Sequence, residues 1–314
     1  MTAGTSGFGS GRPPIGVTLV NGREVDPTMP AVRPDDRGLT LGDGLFETLR
    51  AYGGVPFRLR EHLDRLANAA RRVALPLPGD LEEQVRRAIA RFVEQAIGSV
   101  DARDAGTGIV PDASIRITVS RGPGPPGLEP PAELRPSAVI SVREYRADER
   151  IYREGISLIV ASGRRNEFAA TAGLKSLGYL ESVVALAEAR SRNADDAVYL
   201  DTSGHLAEAT TSNIFFVVDD EVLTPPTSCG ILAGVTRAAV IGVARAAGLP
   251  VREEVLFPEV LDRAGEVFLT ASNREIVPVR ALDGRTIGSG RPGPITLDLL
   301  HRYRAIVRSE TTRG

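Results

Sequence analysis

Apolar and polar positions alternate with a period of two in the first part of the chain. GVTLVNGREV (16–25) alternates on either side of an Asn-Gly pair. LFETLRAYGGVPFRL (45–59) has a turn signal at Gly53-Gly54, and both patterns predict β-hairpins. The period then lengthens. LREHLDRLANAARRVA (59–74) places leucines at 59, 63 and 66, a helical spacing, and residues 80–97 read as a second amphipathic helix. IRITVS (115–120) and SAVISV (137–142) are predicted strands. The segment between them, RGPGPPGLEPPAELRP, has too much Gly and Pro for regular structure and suits a mobile wall beside a pocket. The charged run EYRADERIYREG (144–155) is expected to link two domains. After it come a strand, ISLIVAS (156–162), a helix, SLGYLESVVALAEARSRN (176–193), and a series of strands and turns from Ala197 to Thr224. A further helix, LAGVTRAAVIGVARAAG (232–248), ends at a glycine.

Strands and helices mix without a steady βαβ rhythm. This predicts an α+β fold with mostly antiparallel sheets in two domains. The expected division is a small N-terminal domain over 15–145, a connection over 146–155 and a larger domain over 156–309. Residues 1–14 and 310–314 are expected as tails.

Composition narrows the function classes. A net charge of -2 gives no pull toward nucleic acid or an anionic membrane. No apolar run reaches the ~18 residues a transmembrane helix needs. The first residues, MTAGTSGFGSGRPP, have neither a basic nor an apolar stretch and read as a flexible tail rather than a signal peptide. The single cysteine, Cys229, cannot form an internal disulfide, which fits a reducing cytoplasm. His62 and His205 read as structural, the GDG around Asp43 as a structural bend, and no His/Cys/carboxylate cluster suggests a metal site.

Of the 38 Lys and Arg residues, one is a lysine, Lys175. A GC-rich coding bias accounts for the shortage of lysine but not for the one that remains. Arginine stays protonated, whereas a desolvated lysine can lose its proton and act as nucleophile or base. The neighbours Ala172, Gly173, Leu174, Leu177, Tyr179 and Leu180 suggest a buried setting.

The stretch EATTSNIFFVVDDEVLTPPTSCGILAGVTR (208–237) resembles the signature of class IV aminotransferases, the fold-type-IV pyridoxal-phosphate enzymes. It matches at Glu208, Asn213, Ile214, Phe215, Thr224, Gly234, Val235 and Arg237. RGLTLGDGLFETLRAYGGVPFRLREHLDRL (37–66), GLKSLGYLES and FLTASNREIVPVRALDG (268–284) are similar to the family's remaining blocks. The resemblance implies a two-domain fold with a barrel-like antiparallel sheet in the larger domain, the cofactor pyridoxal 5′-phosphate and a homodimer with a shared site. It implies Lys175 as the amine of the resting imine, Glu208 as the partner of the ring nitrogen and Tyr179 as a contact of the phenolic oxygen. For the phosphate it implies Arg65, the helix start at Gly234, Val235 and Thr236, and a turn at Ser272 and Asn273. Gly178 departs from the family, many members of which have Asn there.

The implied reaction is a ping-pong transfer of an amino group between an amino acid and a 2-oxo acid, 2-oxoglutarate or pyruvate, with Lys175 carrying the proton. Branched-chain members usually read FEG-apolar-Arg, whereas this chain reads FETLR (46–50), and the loop after Arg121-Gly122 lacks the Arg-x-His pair of well-known D-amino-acid enzymes. Arg116 and Arg37 are the candidate carboxylate traps, each with an alternative as a structural ion pair. The expected subtype is a D-amino-acid transaminase with an altered carboxylate trap. A 4-amino-4-deoxychorismate lyase and a branched-chain L-amino-acid or (R)-amine transaminase are the alternatives.

Overall fold

The computed structural model describes residues 15–98 and 110–312, so the tail expected over 1–14 lies outside the described residues. Six strands form an antiparallel sheet in the N-terminal part: β1 (Gly16–Val20), β2 (Arg23–Glu24), β3 (Gly44–Tyr52), β4 (Val55–Pro56), β5 (Ala113–Ser120) and β6 (Ser137–Glu144). Their order is β2-β1-β6-β5-β3-β4. Both predicted hairpins form. Asn21 and Gly22 have φ of 49° and 75°, and Gly53 and Gly54 have 55° and 82°, the left-handed backbone that tight hairpin turns require. A short helix, α1 (Arg37–Leu41), precedes β3. Two helices, α2 (Leu59–Arg72) and α3 (Leu81–Gly98), cover the sheet. Leu45, Leu49, Leu66, Val85, Phe92, Ile115, Ile117 and Ile140 are among the buried side chains between them.

The segment expected as a linker is partly helical. Asp148 accepts a hydrogen bond from the Arg150 amide at 3.0 Å and caps α4 (Glu149–Glu154), and Tyr152 is buried in the second core. Six residues with one inward tyrosine are too few to show a helical period.

The larger part is built on β7 (Ile156–Arg165), β8 (Asp196–Asp201), β9 (Leu206–Ala209), β10 (Asn213–Val218), β11 (Glu221–Thr224), β12 (Val251–Glu253), β13 (Glu266–Ala271), β14 (Glu275–Leu282) and β15 (Arg285–Thr286). Its helices are α5 (Leu180–Ser191), α6 (Val235–Ala246) and α7 (Pro294–Thr311). Strands β10-β13-β14-β7-β8-β9 form a ring that closes through the pairing of Asn213 with Glu208, so the sheet is a barrel. The sheet is mixed: β14–β7, β7–β8 and β11–β12 run parallel. Phe215 and Phe268 stack in its core at 4.9 Å. The chain end is not a free tail as far as Thr311, because α7 continues to that residue and Glu310 pairs with Arg58 at 3.0 Å.

Candidate active site

The segment around Lys175 is held by the N-terminal sheet although it leads into the barrel. The Phe46 amide donates to the Lys175 carbonyl at 2.9 Å, and the Leu177 amide donates to the Gly44 carbonyl at 3.0 Å. Gly44 permits this approach: a Cβ there would lie 2.6 Å from the Val119 carbonyl oxygen and 2.7 Å from Leu177 Cδ1. The Lys175 side chain therefore enters the cleft between the two parts at a fixed point. Its Nζ is 3.2 Å from the Tyr179 hydroxyl and 4.3 Å from the centre of the Phe46 ring. Burial pushes this amine down to about 8; the Glu47 charge opposes the shift and Arg65 adds to it. An amine at that value is neutral often enough to act as a nucleophile near neutral pH.

Glu208 sits where the barrel closes. Its Oε2 accepts from the Leu232 amide at 3.0 Å and from Asn213 Nδ2 at 3.4 Å, and its Oε1 is 3.2 Å from Arg165 Nη2. Burial raises its pKa, while Arg165, the Leu232 amide and Lys175 work to keep it ionised. Asn213 Nδ2 also donates to the Leu232 carbonyl at 2.9 Å, which fixes the loop leading into α6. Gly234 caps that helix, and a Cβ there would meet Asn213 Oδ1 at 2.1 Å. The first bonded amide is that of Ala238, so the amides of Val235, Thr236 and Arg237 meet no acceptor among the described residues. Such a helix end attracts anions.

Arg65 of α2 stands opposite. Its Nε and Nη2 donate to the two oxygens of Glu47 at 2.8 and 2.7 Å, and its Nη1 donates to the Ala233 carbonyl at 2.8 Å. The turn between β13 and β14 brings Ser272 Oγ to 3.5 Å from His62 Nε2. It also lets Asn273 Nδ2 donate to Ser114 Oγ at 2.8 Å. Asn273 Oδ1 is buried without a partner among the described residues.

One cavity of about 920 Å3 is lined by Lys175, Tyr179, Glu208, Arg65, Gly234, Val235, Thr236, Ser272, Asn273 and Arg116. Arg116 projects from β5 with its guanidinium carbon 3.8 Å from the centre of the Phe46 ring. It has no carboxylate partner among the described residues, and its desolvation lowers its pKa. Arg37 is not brought to this cavity. It is 3% exposed, pairs with Asp43 at 2.9 Å, and donates to the carbonyls of Gly127, Leu128 and Glu129. Its donors tie down the Gly- and Pro-rich loop, so within this chain Arg37 takes the structural alternative and does not face the cavity of Lys175. That loop also contributes no wall to the cavity within this chain.

Two side chains at the site, Glu47 and Arg165, escape the sequence reading. Glu47 lies on β3, where His62, read as structural, donates to it from α2, and Arg165 pairs with Glu208 while its guanidinium carbon stands 4.6 Å from the centre of the Tyr199 ring. Glu47 had a signal: it shares the inward parity of Leu45 and Leu49 in an alternating strand, where a carboxylate is out of place.

The donor set fits pyridoxal phosphate. A single side-chain amine, a buried carboxylate, and a guanidinium beside a helix start with free amides line one cavity, and they would suit the aldehyde, the ring nitrogen and the phosphate of that group.

Comparison with known proteins agrees. The family described as amino-transferase class IV matches residues 44–282. A putative branched-chain-amino-acid aminotransferase of Methanocaldococcus jannaschii is 36% identical over 288 residues, 91% of this chain and 95% of that protein. A D-alanine aminotransferase of Bacillus licheniformis is 30% identical over 298 residues, 94% of this chain and 98% of the other. The crystal structure of 4-amino-4-deoxychorismate lyase from Pseudomonas aeruginosa superposes with a TM-score of 0.76 at 32% identity, covering 93% of this chain and 98% of that one. The barrel, the cavity and these matches together make the chain a member of the class IV aminotransferases, the fold-type-IV enzymes that use pyridoxal phosphate.

Proposed function

We propose that this chain transfers an amino group between an amino acid and a 2-oxo acid, with Lys175 as the covalent anchor of the cofactor and the group that moves the substrate's Cα proton. The observation that carries this reading is the meeting of the Lys175 amine, the Glu208 carboxylate and the free amides of Val235 and Thr236 on one cavity. The cofactor, when bound, supplies an electron sink for the bonds at Cα. Glu208 would hold the ring nitrogen's proton, and Arg165 and the Leu232 amide keep it a carboxylate for that task. Tyr179, 3.2 Å from Lys175 Nζ, would hold the phenolic oxygen and keep the amine near the reacting carbon. Arg65, Val235, Thr236 and the turn at Ser272 and Asn273 would take the phosphate.

Arg116 is proposed as the carboxylate trap. It is a cation without a carboxylate partner among the described residues, supported from beneath by Phe46 and facing the same cavity as Lys175. This supports a substrate that carries a carboxylate, with 2-oxoglutarate or pyruvate as acceptor. For the donor we retain a D-amino acid, supported by the B. licheniformis relative. A branched-chain L-amino acid is the second reading, supported by the M. jannaschii relative, which is more similar. Half-reactions of the cofactor-loaded protein with D-alanine, D-glutamate, L-leucine and (R)-1-phenylethylamine, followed by the absorbance spectrum, separate these. Conversion by the D-amino acids is expected. Conversion by L-leucine alone overturns the D-reading and leaves the transaminase intact. Release of 4-aminobenzoate from aminodeoxychorismate with no amino donor accepted would make the protein a lyase.

A homodimer is proposed from the exposed apolar side chains of this chain. Leu180, Val183 and Val184 of α5 are 73%, 60% and 61% exposed, and Leu39 and Leu128 are 71% and 84% exposed. Light scattering should give twice the mass of the chain, and a monomer at micromolar concentration would contradict it.

A further inference from the structure

Glu47 is a carboxylate placed where the fold alone calls for a hydrocarbon. It is 1% exposed on the side of β3 that carries Leu45 and Leu49, facing α2. Both oxygens are committed. Oε1 accepts from Arg65 Nε at 2.8 Å, and Oε2 accepts from Arg65 Nη2 at 2.7 Å and from His62 Nδ1 at 2.8 Å. Isolated buried ion pairs of this kind add little stability over apolar packing, because desolvating the charges offsets their attraction. What the arrangement does supply is orientation. The fork of two bonds fixes the plane of the Arg65 guanidinium, and the third bond to Ala233 pins its other end. Two of its five N–H groups remain, and the guanidinium lines the cavity. A carboxylate only accepts, so His62 must carry its proton on Nδ1. Burial disfavours the charged ring, so Nε2 is left unprotonated and turned to Ser272, 3.5 Å away. One carboxylate thus reaches two of the groups proposed to take the phosphate, Arg65 directly and Ser272 through His62, without lining the cavity of Lys175 itself.

We propose that Glu47 is a positioning residue for the cofactor phosphate, setting the Arg65 plane and the His62 tautomer before the cofactor arrives. The proposal rests on the reading of Lys175 as the anchor and of Arg65 as a phosphate ligand. It concerns binding rather than turnover, so it is tested on the apoprotein. The probes are pyridoxal phosphate and pyridoxal, which has the same aldehyde and ring nitrogen but no phosphate, each titrated by absorbance. In Glu47→Gln the fork loses its charge, and the variant should bind pyridoxal phosphate about tenfold more weakly or worse. Its affinity for pyridoxal should stay that of the wild type. In an Arg65→Gln background the same change should cost less than it does alone, because only the His62 arm is left to lose.

Equal losses for both probes, or none for either, overturn the proposal, as does a loss that adds in full to that of Arg65→Gln. Should Glu47→Gln fail to fold, Glu47→Asp decides the matter. It keeps the charge but withdraws it by one methylene, and must show the same preference for weakening the phosphorylated probe. Wild-type protein that captures neither probe overturns the underlying reading of Lys175, a different result from a variant that treats the two probes alike.

Discussion

At the scale of the residue, the chemistry turns on how a cationic amine is made neutral. Lys175 lies in the cleft with Phe46 beneath it and the charges of Arg65 and Arg116 nearby. Desolvation disfavours the ammonium, and its pKa falls from the ordinary 10.5 to about 8. The neutral amine is the form that attacks an aldehyde. The rate at which the apoprotein captures pyridoxal phosphate should therefore rise with pH and level off just above 8. Stopped-flow absorbance over pH 6 to 11 measures it, and a profile still climbing near 10.5 would contradict the described setting of the amine. The identity of this residue was legible in the sequence because it is the one lysine of the chain. Glu208 and Arg65 were legible only through the motif, since a strand glutamate and a helical arginine are each ordinary alone. The partners that tune them, Glu47 and Arg165, were not read. Their roles depend on contacts between separate elements, which no local pattern announces: β3 with α2 for Glu47, and β7 with β9 for Arg165.

At the scale of the element, the hairpins and long helices followed from period and turn chemistry, and their observed bounds fall close to those expected. Shorter elements did not. The helix α4 has too few residues for a period, and α5 begins only at Leu180, after a segment that the sequence counts as helical. That segment is withheld from the helix because it pairs with the start of β3 through Gly44 and Phe46, a tertiary contact that overrides local preference. Arg37 shows the same limit in reverse. Its position before a conspicuous turn suggested a ligand, yet its guanidinium is spent on three successive carbonyls of a loop some ninety residues away. The glycine at the start of α6 was readable as part of an anion site. The reason for glycine is the side chain of Asn213, which leaves no room for a methyl group.

At the scale of the whole molecule, two cores meet over one cavity, and the segment that carries Lys175 is tied to the N-terminal sheet at its edge. The N-terminal sheet fixes the Lys175 backbone, the closing pair of the barrel fixes Glu208, and α6 supplies the amides between them. The α+β class and two-part organisation were expected from the sequence. The closed barrel was expected only through family resemblance, because closure rests on a single pairing, Asn213 with Glu208, that no local pattern announces. The central claim is that the cofactor is held covalently by the one side-chain amine of the chain. Its most direct test is borohydride reduction of the cofactor-loaded protein, followed by peptide mapping by mass spectrometry. The account predicts one phosphopyridoxyl group per chain, on the peptide containing Lys175. A reduced protein with no label on that peptide, or with the label on the N-terminal amine instead, would contradict it.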